Sequence, residues 1–306
     1  MPASLRALVT DSIDYAGMFP PCGLDLEPAL KNQAEYVRSA DAWMLSALVL
    51  SVARFDAAAA HLAEFDHKHP LRIAALGPKT ENASAFRIAL KETAEAIRRF
   101  SATCGDRVAV SQLEMALPID VDLRGLGEAR AVLGELPVNV FWETPVESAE
   151  ETIHLLMKHE SEKHTRPFGY KLRTGGVTAD AFPTAPQIAA ALVSAAQHHV
   201  RIKFTAGLHH PIRQFRDEVK TKMHGFLNVL GAGVLAAEHG WDEGQTSAML
   251  EDENPKSFAF DDTLFAWRDW EIATDRIKAR RRFVTSFGSC SFDEPREDLR
   301  VLKFLR

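Results

Sequence analysis

The sequence lacks the features that mark several classes of protein. It has three cysteines in 306 residues and no Cys-x-x-Cys spacing, which excludes a disulfide framework. This low cysteine content predicts that the protein is located in the reducing cytoplasm. It has no run of about 18 apolar residues, which excludes an ordinary membrane span. Its first residues lack the charged and apolar regions of a signal peptide. The net charge of −6 argues against nucleic acid or an anionic membrane as partner.

Glycine-rich phosphate loops are also missing. No Gly-x-Gly-x-x-Gly follows the first apolar run, and no Gly-x-x-x-x-Gly-Lys-Ser/Thr occurs, which argues against an open nucleotide-binding sheet. The composition, with 46% hydrophobic and 25% charged residues, is that of a globular protein that can bury a large core.

Apolar, β-branched-rich runs of strand length alternate with helical periodicities along the chain. This alternation predicts a parallel sheet covered by helices, and eight repeats of roughly thirty residues favour a closed (β/α)8 TIM barrel. We predict one α/β domain over residues 1–306, with an N-terminal segment and helix in 1–42, the barrel in 43–306 and a helical insertion before the last strands. The predicted strands are 43–53, 71–77, 108–117, 136–143, 167–173, 199–206, 256–261 and 283–287. The predicted helices are 27–39, 56–67, 83–101, 122–135, 147–160, 178–198, 213–252 with a break at Gly240, 269–282 and 294–305.

Two neighbouring strands of this pattern end in nearly the same way. Each carries a lysine, Lys171 or Lys203, followed within a few residues by a threonine and a glycine. A right-handed strand–helix–strand unit brings both carboxyl ends to one rim. We therefore expect the two lysines to be neighbours.

Other polar residues are predicted at the same rim, where a barrel carries its active site. A lysine close to a second cation and partly buried has a lowered pKa, and the neutral amine forms a Schiff base with an aldehyde or ketone. Glu114 is suited to pass protons through a water. The remaining candidates are Glu143, Arg173, His209, His210, Ser286, Gly288, Ser289 and Cys290.

Three other interpretations stay open at this stage. Glu114 and Glu143, with His209, His210 or His224, could hold a divalent metal with a lysine as general base. Lys171 could be half of a buried ion pair with Glu143, in a barrel that binds a small anion without catalysis. The apolar residues 226–237 fit core packing or a contact in a homo-oligomer equally well.

Cys290 is better explained as a buried small residue than as a nucleophile.

The order of these motifs resembles that of the deoxyribose-phosphate aldolases, which are Schiff-base enzymes on a (β/α)8 barrel. The similar stretches lie in the same order along most of the chain: 13–20, 112–117, 140–144, 171–175, 203–207 and 285–289. The chain departs from the family pattern at Glu114, where an aspartate is expected, at Arg173, which replaces a small residue, and at Leu208, which replaces a glycine.

The resemblance implies roles for individual residues. Lys171 would form the Schiff base, Lys203 would lower its pKa, and Glu114 with Asp14 would relay protons. Thr174, Gly175, Gly207 and the 285–289 loop would contact the substrate. Arg173, His209, His210 and Arg213 add positive groups that suit a phosphate or carboxylate. The leading hypothesis is a cofactor-independent class I lyase, an aldolase or dehydratase, acting on a small carbonyl compound.

Overall fold

The computed structural model describes residues 1–134, 136–160 and 166–305. Eight parallel strands close into a barrel in the order β1-β13-β7-β6-β5-β4-β3-β2, so the chain folds as the predicted (β/α)8 barrel. The barrel strands are β1 (Ile13–Tyr15), β2 (Leu45–Ser51), β3 (Leu71–Leu76), β4 (Val108–Ala116), β5 (Asn139–Glu143), β6 (Gly169–Arg173), β7 (Arg201–Thr205) and β13 (Val284–Ser289).

Helices cover the outside of the barrel and also form part of the long segment before its last strand. Their bounds are α1 (Ala3–Val9), α2 (Leu26–Tyr36), α3 (Phe55–Ala59), α4 (Ala83–Cys104), α5 (Leu123–Leu133), α6 (Ala149–His159), α7 (Ala185–Gln197), α8 (Phe226–His239), α9 (Glu243–Leu250), α10 (Thr274–Arg280) and α11 (Asp293–Val301). The predicted end of the fourth helix, at position 135, lies outside the described residues.

The first barrel strand corrects the sequence-based prediction. β1 pairs with β13 on one side and with β2 on the other, so the barrel begins within the segment that was predicted to precede it. β1 has only three residues, and its middle residue is Asp14. A strand this short, with a charge at its centre, has no apolar periodicity to reveal it.

The predicted strand at 256–261 does form, but outside the barrel. β10 (Phe258–Phe260) pairs antiparallel with β11 (Leu264–Trp267), which pairs antiparallel with β12 (Trp270–Ala273). An apolar run of strand length does not reveal its partner, so the sequence could not separate this small sheet from the barrel.

The segment between β7 and β13 is only partly helical. It opens with an antiparallel pair, β8 (Gln214–Arg216) and β9 (Thr221–Met223), where a helix was predicted. The predicted break between two helices is confirmed, because α8 ends at Gly240 in the left-handed conformation, with φ 66°. Glycine adopts this conformation without steric cost.

Local sequence explains where several helices begin. Thr184 and Gln187 form a capping box at the start of α7, and Asp242 and Gln245 form another at the start of α9. Each box satisfies backbone N–H groups that the first helical turn leaves unpaired.

The core continues from the barrel wall into the helices around it. Residues 226–236 of α8 are all buried within this chain, so packing inside the protein accounts for the apolar stretch there. None of the helices in residues 1–134, 136–160 and 166–305 is both long and apolar enough to cross a membrane.

Candidate active site

Strand register brings the predicted charged residues together at the carboxyl end of the barrel. Glu143 on β5 is level with Lys171 on β6, which is level with Lys203 on β7. Residues in register on adjacent parallel strands point to the same side of the sheet. The expectation that the two lysines are neighbours is therefore confirmed.

Lys171 lies between two carboxylates. Its Nζ is 2.7 Å from Glu114 Oε2 and 2.7 Å from Glu143 Oε2. Only 5% of the Lys171 side chain is exposed, whereas 26% of the Glu143 side chain is exposed. The ion pair that the sequence suggested between Lys171 and Glu143 thus forms. Of its two side chains, that of Glu143 is the one in contact with solvent.

Lys203 lies deeper and has more partners. Its Nζ donates to Asp14 Oδ2 at 2.8 Å, to Gln112 Oε1 at 2.7 Å and to the second oxygen of Glu114. Asp14 also accepts a hydrogen bond from Ser286 Oγ at 2.5 Å and one from Gln112 Nε2 at 3.1 Å. Lys203 is 1% exposed, and its three ammonium hydrogens are matched by three acceptors.

Glu114 joins the two lysines into one network. One of its oxygens binds Lys171 and the other binds Lys203. Burial alone would raise the pKa of Glu114, but the two ammonium groups lower it to about 2. Glu114 is therefore an anion at neutral pH, and it holds two buried cations side by side.

The neighbouring carboxylates also determine the direction in which the pKa values of the two lysines shift. Burial lowers the pKa of Lys171, but Glu114 and Glu143 outweigh burial and raise it above the ordinary value. Asp14 and Glu114 do the same for the pKa of Lys203. The prediction that Lys203 depresses the pKa of Lys171 toward neutrality is therefore wrong for the resting protein, because the carboxylates between the lysines dominate.

A pocket of about 450 Å³ opens above this network. Lys171, Glu114 and Glu143 line one side, and Lys203 and Asp14 lie beneath it out of reach. Its apolar lining includes Ala16, Phe19, Val49 and Leu76, and Leu76 on β3 is level with Glu114 on β4. Val49 belongs to a small apolar cluster, with Ala16, Phe19 and Leu76 packed against it.

Two cations stand at the mouth of the pocket. Lys79 and Arg173 both line it and both are exposed. Neither side chain forms an ion pair with another of the residues that the structure describes. The mouth is therefore positive and its cations are available to an incoming anion, while the floor carries paired charges.

The structure separates the remaining predicted site residues into two groups. Gly207, His209, Gly288 and Cys290 line the pocket. The others make contacts within the protein: Ser286 binds Asp14, Thr174 Oγ1 donates to the carbonyl of Ala206 at 2.6 Å, His210 Nδ1 lies 2.6 Å from Asp298 Oδ2, and Ser289 and Gly175 are buried.

The loops that follow β6 and β7 approach each other closely at two glycines. A Cβ on Gly175 would lie 2.9 Å from the Cα of Gly207, and Gly207 has a φ of 77°. Both positions therefore require glycine, one for space and the other for backbone conformation as well. This contact supports the part of the rim that carries Lys171.

A metal site does not emerge from these residues. Among residues 1–134, 136–160 and 166–305, no group of three or more His, Cys, Asp or Glu side chains could hold a metal ion. His209 lies 3.1 Å from Glu294 Oε2, and the ring of His224, whose burial lowers its pKa to about 4, lies 2.8 Å from the carbonyl of Pro183. The hydrogen-bond partners of these two histidines are therefore groups other than Glu114 and Glu143.

Two residues of the site, Gln112 and Lys79, are not among the predicted ones. Gln112 stands two positions before Glu114 on β4, and the two-residue period of a strand places both side chains on the same face. That period was the available signal. Lys79 lies in the loop after β3, where the sequence gives no periodicity that would assign it to the rim.

The chain shares little with known proteins. No family model matches it, and no curated protein matches it. One solved structure that does match is a monomeric dihydrodipicolinate synthase variant, with 12% sequence identity and a TM-score of 0.35. The alignment covers 66% of this chain and 64% of that chain. A likeness of this size has no bearing on function, and the assignment of the barrel rests on the strand pairing above.

Proposed function

We propose that the protein is a class I lyase of the aldolase or dehydratase kind, which acts on a small anionic carbonyl compound through an imine at Lys171. One observation carries this proposal: Lys171 is a lysine at the floor of a semi-enclosed pocket, with a carboxylate on either side of its ammonium group. The resemblance to deoxyribose-phosphate aldolases, which implies the same lysine, agrees with it.

Of the two lysines, Lys171 is the nucleophile. It lines the pocket, whereas Lys203 lies beneath it with all three of its ammonium hydrogens engaged. The role of Lys203 is to fix Glu114, because the ammonium group holds one carboxylate oxygen and leaves the other for Lys171.

Glu143 is the group that activates Lys171. The resting ammonium cannot attack a carbonyl, so a base must first accept one of its protons. Glu114 is a poor acceptor because its pKa is about 2. Glu143 contacts the same ammonium at 2.7 Å and reaches the pocket. A substrate that displaces water from the pocket favours transfer of this proton, since a neutral pair is easier to bury than an ion pair.

The chemistry then needs no group beyond these residues. The free amine of Lys171 attacks the carbonyl carbon, and the carbonyl oxygen takes up protons, including the one held by Glu143, and leaves as water. The resulting iminium draws the electrons of the bond between the α and β carbons, and that bond breaks as these electrons form an enamine. The β-hydroxyl passes its proton to the Glu143 carboxylate and becomes a second carbonyl; in the reverse direction the same bond forms. Glu114 remains an anion throughout and stabilises the positive iminium.

The walls of the pocket indicate the kind of substrate. A volume of about 450 Å³ fits a small molecule. The apolar lining that includes Phe19, Val49 and Leu76 suits a carbon chain, and Lys79 and Arg173 suit a carboxylate or phosphate at its far end. The compound is therefore an aldehyde or ketone with one anionic group.

A second candidate is a non-catalytic barrel that binds a small anion. The observation that favours it is that both lysines are fully paired, and their raised pKa values are those of a structural network. In that case Lys171 stays protonated with any ligand and forms no covalent bond.

Borohydride trapping separates these two functions. The protein is incubated with small aldehydes, keto acids and sugar phosphates, reduced with borohydride, and weighed intact by mass spectrometry. The lyase predicts one adduct per chain with an anionic carbonyl compound, absent in Lys171→Ala and weaker in Lys203→Ala, with Lys91→Ala, an exposed lysine on α4, as a control that keeps both buried lysines. No adduct with any carbonyl compound would refute the lyase and leave the anion-binding barrel.

A further inference from the structure

The two cysteines nearest the pocket lie against each other. Cys22 Sγ is 2.9 Å from Cys290 Sγ, although the residues are 268 positions apart in the chain. Cys22 is in the loop that follows β1, and Cys290 comes directly after β13. Closure of the barrel between β1 and β13 brings these positions together.

The two thiols differ in accessibility. Cys22 is exposed, whereas Cys290 is buried at 6% exposure. Burial, followed by the effect of Cys22, raises the pKa of Cys290 to about 12. Cys290 therefore stays a thiol at neutral pH, and an oxidant that arrives from solvent meets Cys22 first.

We propose that Cys22 and Cys290 are a modification site, an oxidisable pair that a hydroperoxide converts to a disulfide at the mouth of the pocket. Their sulfur atoms need to approach by roughly 0.9 Å to reach the bonding distance of a disulfide. The third cysteine, Cys104, is the last residue of α4 and takes no part.

The chemistry proceeds in two steps. The thiolate of Cys22 attacks the hydroperoxide, whose O–O bond breaks, and the products are a sulfenic acid on Cys22 and water or an alcohol. The thiol of Cys290 then attacks the Cys22 sulfur and displaces hydroxide, which leaves as water with the thiol proton. Two thiols are oxidised and one peroxide is reduced.

The bond would fix one wall of the pocket. Phe19, Pro20 and Pro21 line the pocket and directly precede Cys22, and Cys290 lines it from β13. Backbone hydrogen bonds from Gly23 to Phe19 and from Leu24 to Gly17 make this loop one unit. A disulfide ties that unit to β13, so its state is coupled to the shape of the site.

The test uses the intact protein and hydrogen peroxide, and it does not depend on any activity of Lys171. Treated protein is expected to lose about 2 Da, to fall from three titratable thiols to one, and to give a Cys22–Cys290 linked peptide that a dithiol reductant removes. Cys104→Ser is expected to form the same link, and neither Cys22→Ser nor Cys290→Ser is expected to form it.

Three results would overturn the proposal. The first is a thiol count unchanged at a peroxide dose that oxidises free cysteine. The second is Cys22 recovered as sulfinic or sulfonic acid without a cross-link. The third is a cross-link that involves Cys104. Because mapping of the wild-type protein decides among these results, the test stands even where a serine variant does not fold.

Discussion

Removal of the Glu143 charge is expected to raise the fraction of Lys171 present as free amine, although it also removes the proton acceptor of the proposed reaction. Glu143 Oε2 lies 2.7 Å from Lys171 Nζ and helps to raise the pKa of that lysine. In Glu143→Gln the neutral amide no longer favours the ammonium form. The pKa of Lys171 therefore falls, and more free amine is present at any pH below the original pKa.

The size of the effect follows from the geometry. Two unit charges about 4 Å apart interact by about 1 kcal/mol in water and about 4 kcal/mol in a partly buried setting. Glu143 lies between these limits because 26% of its side chain is exposed. Since about 1.4 kcal/mol changes the free amine tenfold, labelling of Lys171 at pH 8 is expected to rise roughly tenfold to a few hundredfold.

Trace labelling with a small acylating reagent, read out peptide by peptide, measures this directly. The reagent reaches the pocket equally well in the wild-type protein and in Glu143→Gln, so its accessibility cancels in the ratio of the two Lys171 labelling rates. Glu151→Gln, which removes an exposed carboxylate on α6, is the matched control and is expected to leave Lys171 unchanged. A Lys171 rate in Glu143→Gln within twofold of wild type, or below it, would refute the reasoning about charge.

Three further predictions concern affinity and stability. Arg173→Ala is expected to weaken trapping of anionic carbonyl compounds about tenfold and leave neutral aldehydes unaffected, with Lys91→Ala on α4 as control. Glu114→Gln leaves two buried ammonium groups facing one another, so urea unfolding should show a loss of about 3 kcal/mol at pH 7. Because the pKa of Glu114 is lowered to about 2 from 4.5, its stabilisation is full above pH 4.5 and is lost toward pH 2; the variant is expected to lack this part of the acid dependence. Gly169→Ala places a Cβ 2.6 Å from the Phe141 ring and is expected to lower the melting temperature, measured by calorimetry; an unchanged value would show that the ring can move.

The sequence carried enough information to predict the barrel and the centre of the site. The repeat of a strand that ends in a lysine placed Lys171 beside Lys203, and the register confirms it. Such a repeat predicts a contact in the fold because parallel strands joined by a helix are neighbours in most barrels. The ion pair of Lys171 with Glu143 follows from the same logic, since β5 and β6 are also consecutive.

What the sequence could not show depends on how the barrel closes. Ser286 binds Asp14 across 272 positions, and it was predicted to contact substrate instead. That contact exists because β1 seals the barrel against β13, and β1 was too short to recognise. The pKa of Lys171 was predicted in the wrong direction for a related reason. Glu114 lies between the two lysines and binds both, and no local pattern in the sequence reveals this bridging contact.

The most direct test of the central claim is the position of the reduced adduct. Wild-type protein trapped with borohydride and an anionic carbonyl compound is digested, and the modified peptide is sequenced by mass spectrometry. The adduct is expected on Lys171. An adduct on Lys203, or none on either buried lysine, would contradict it.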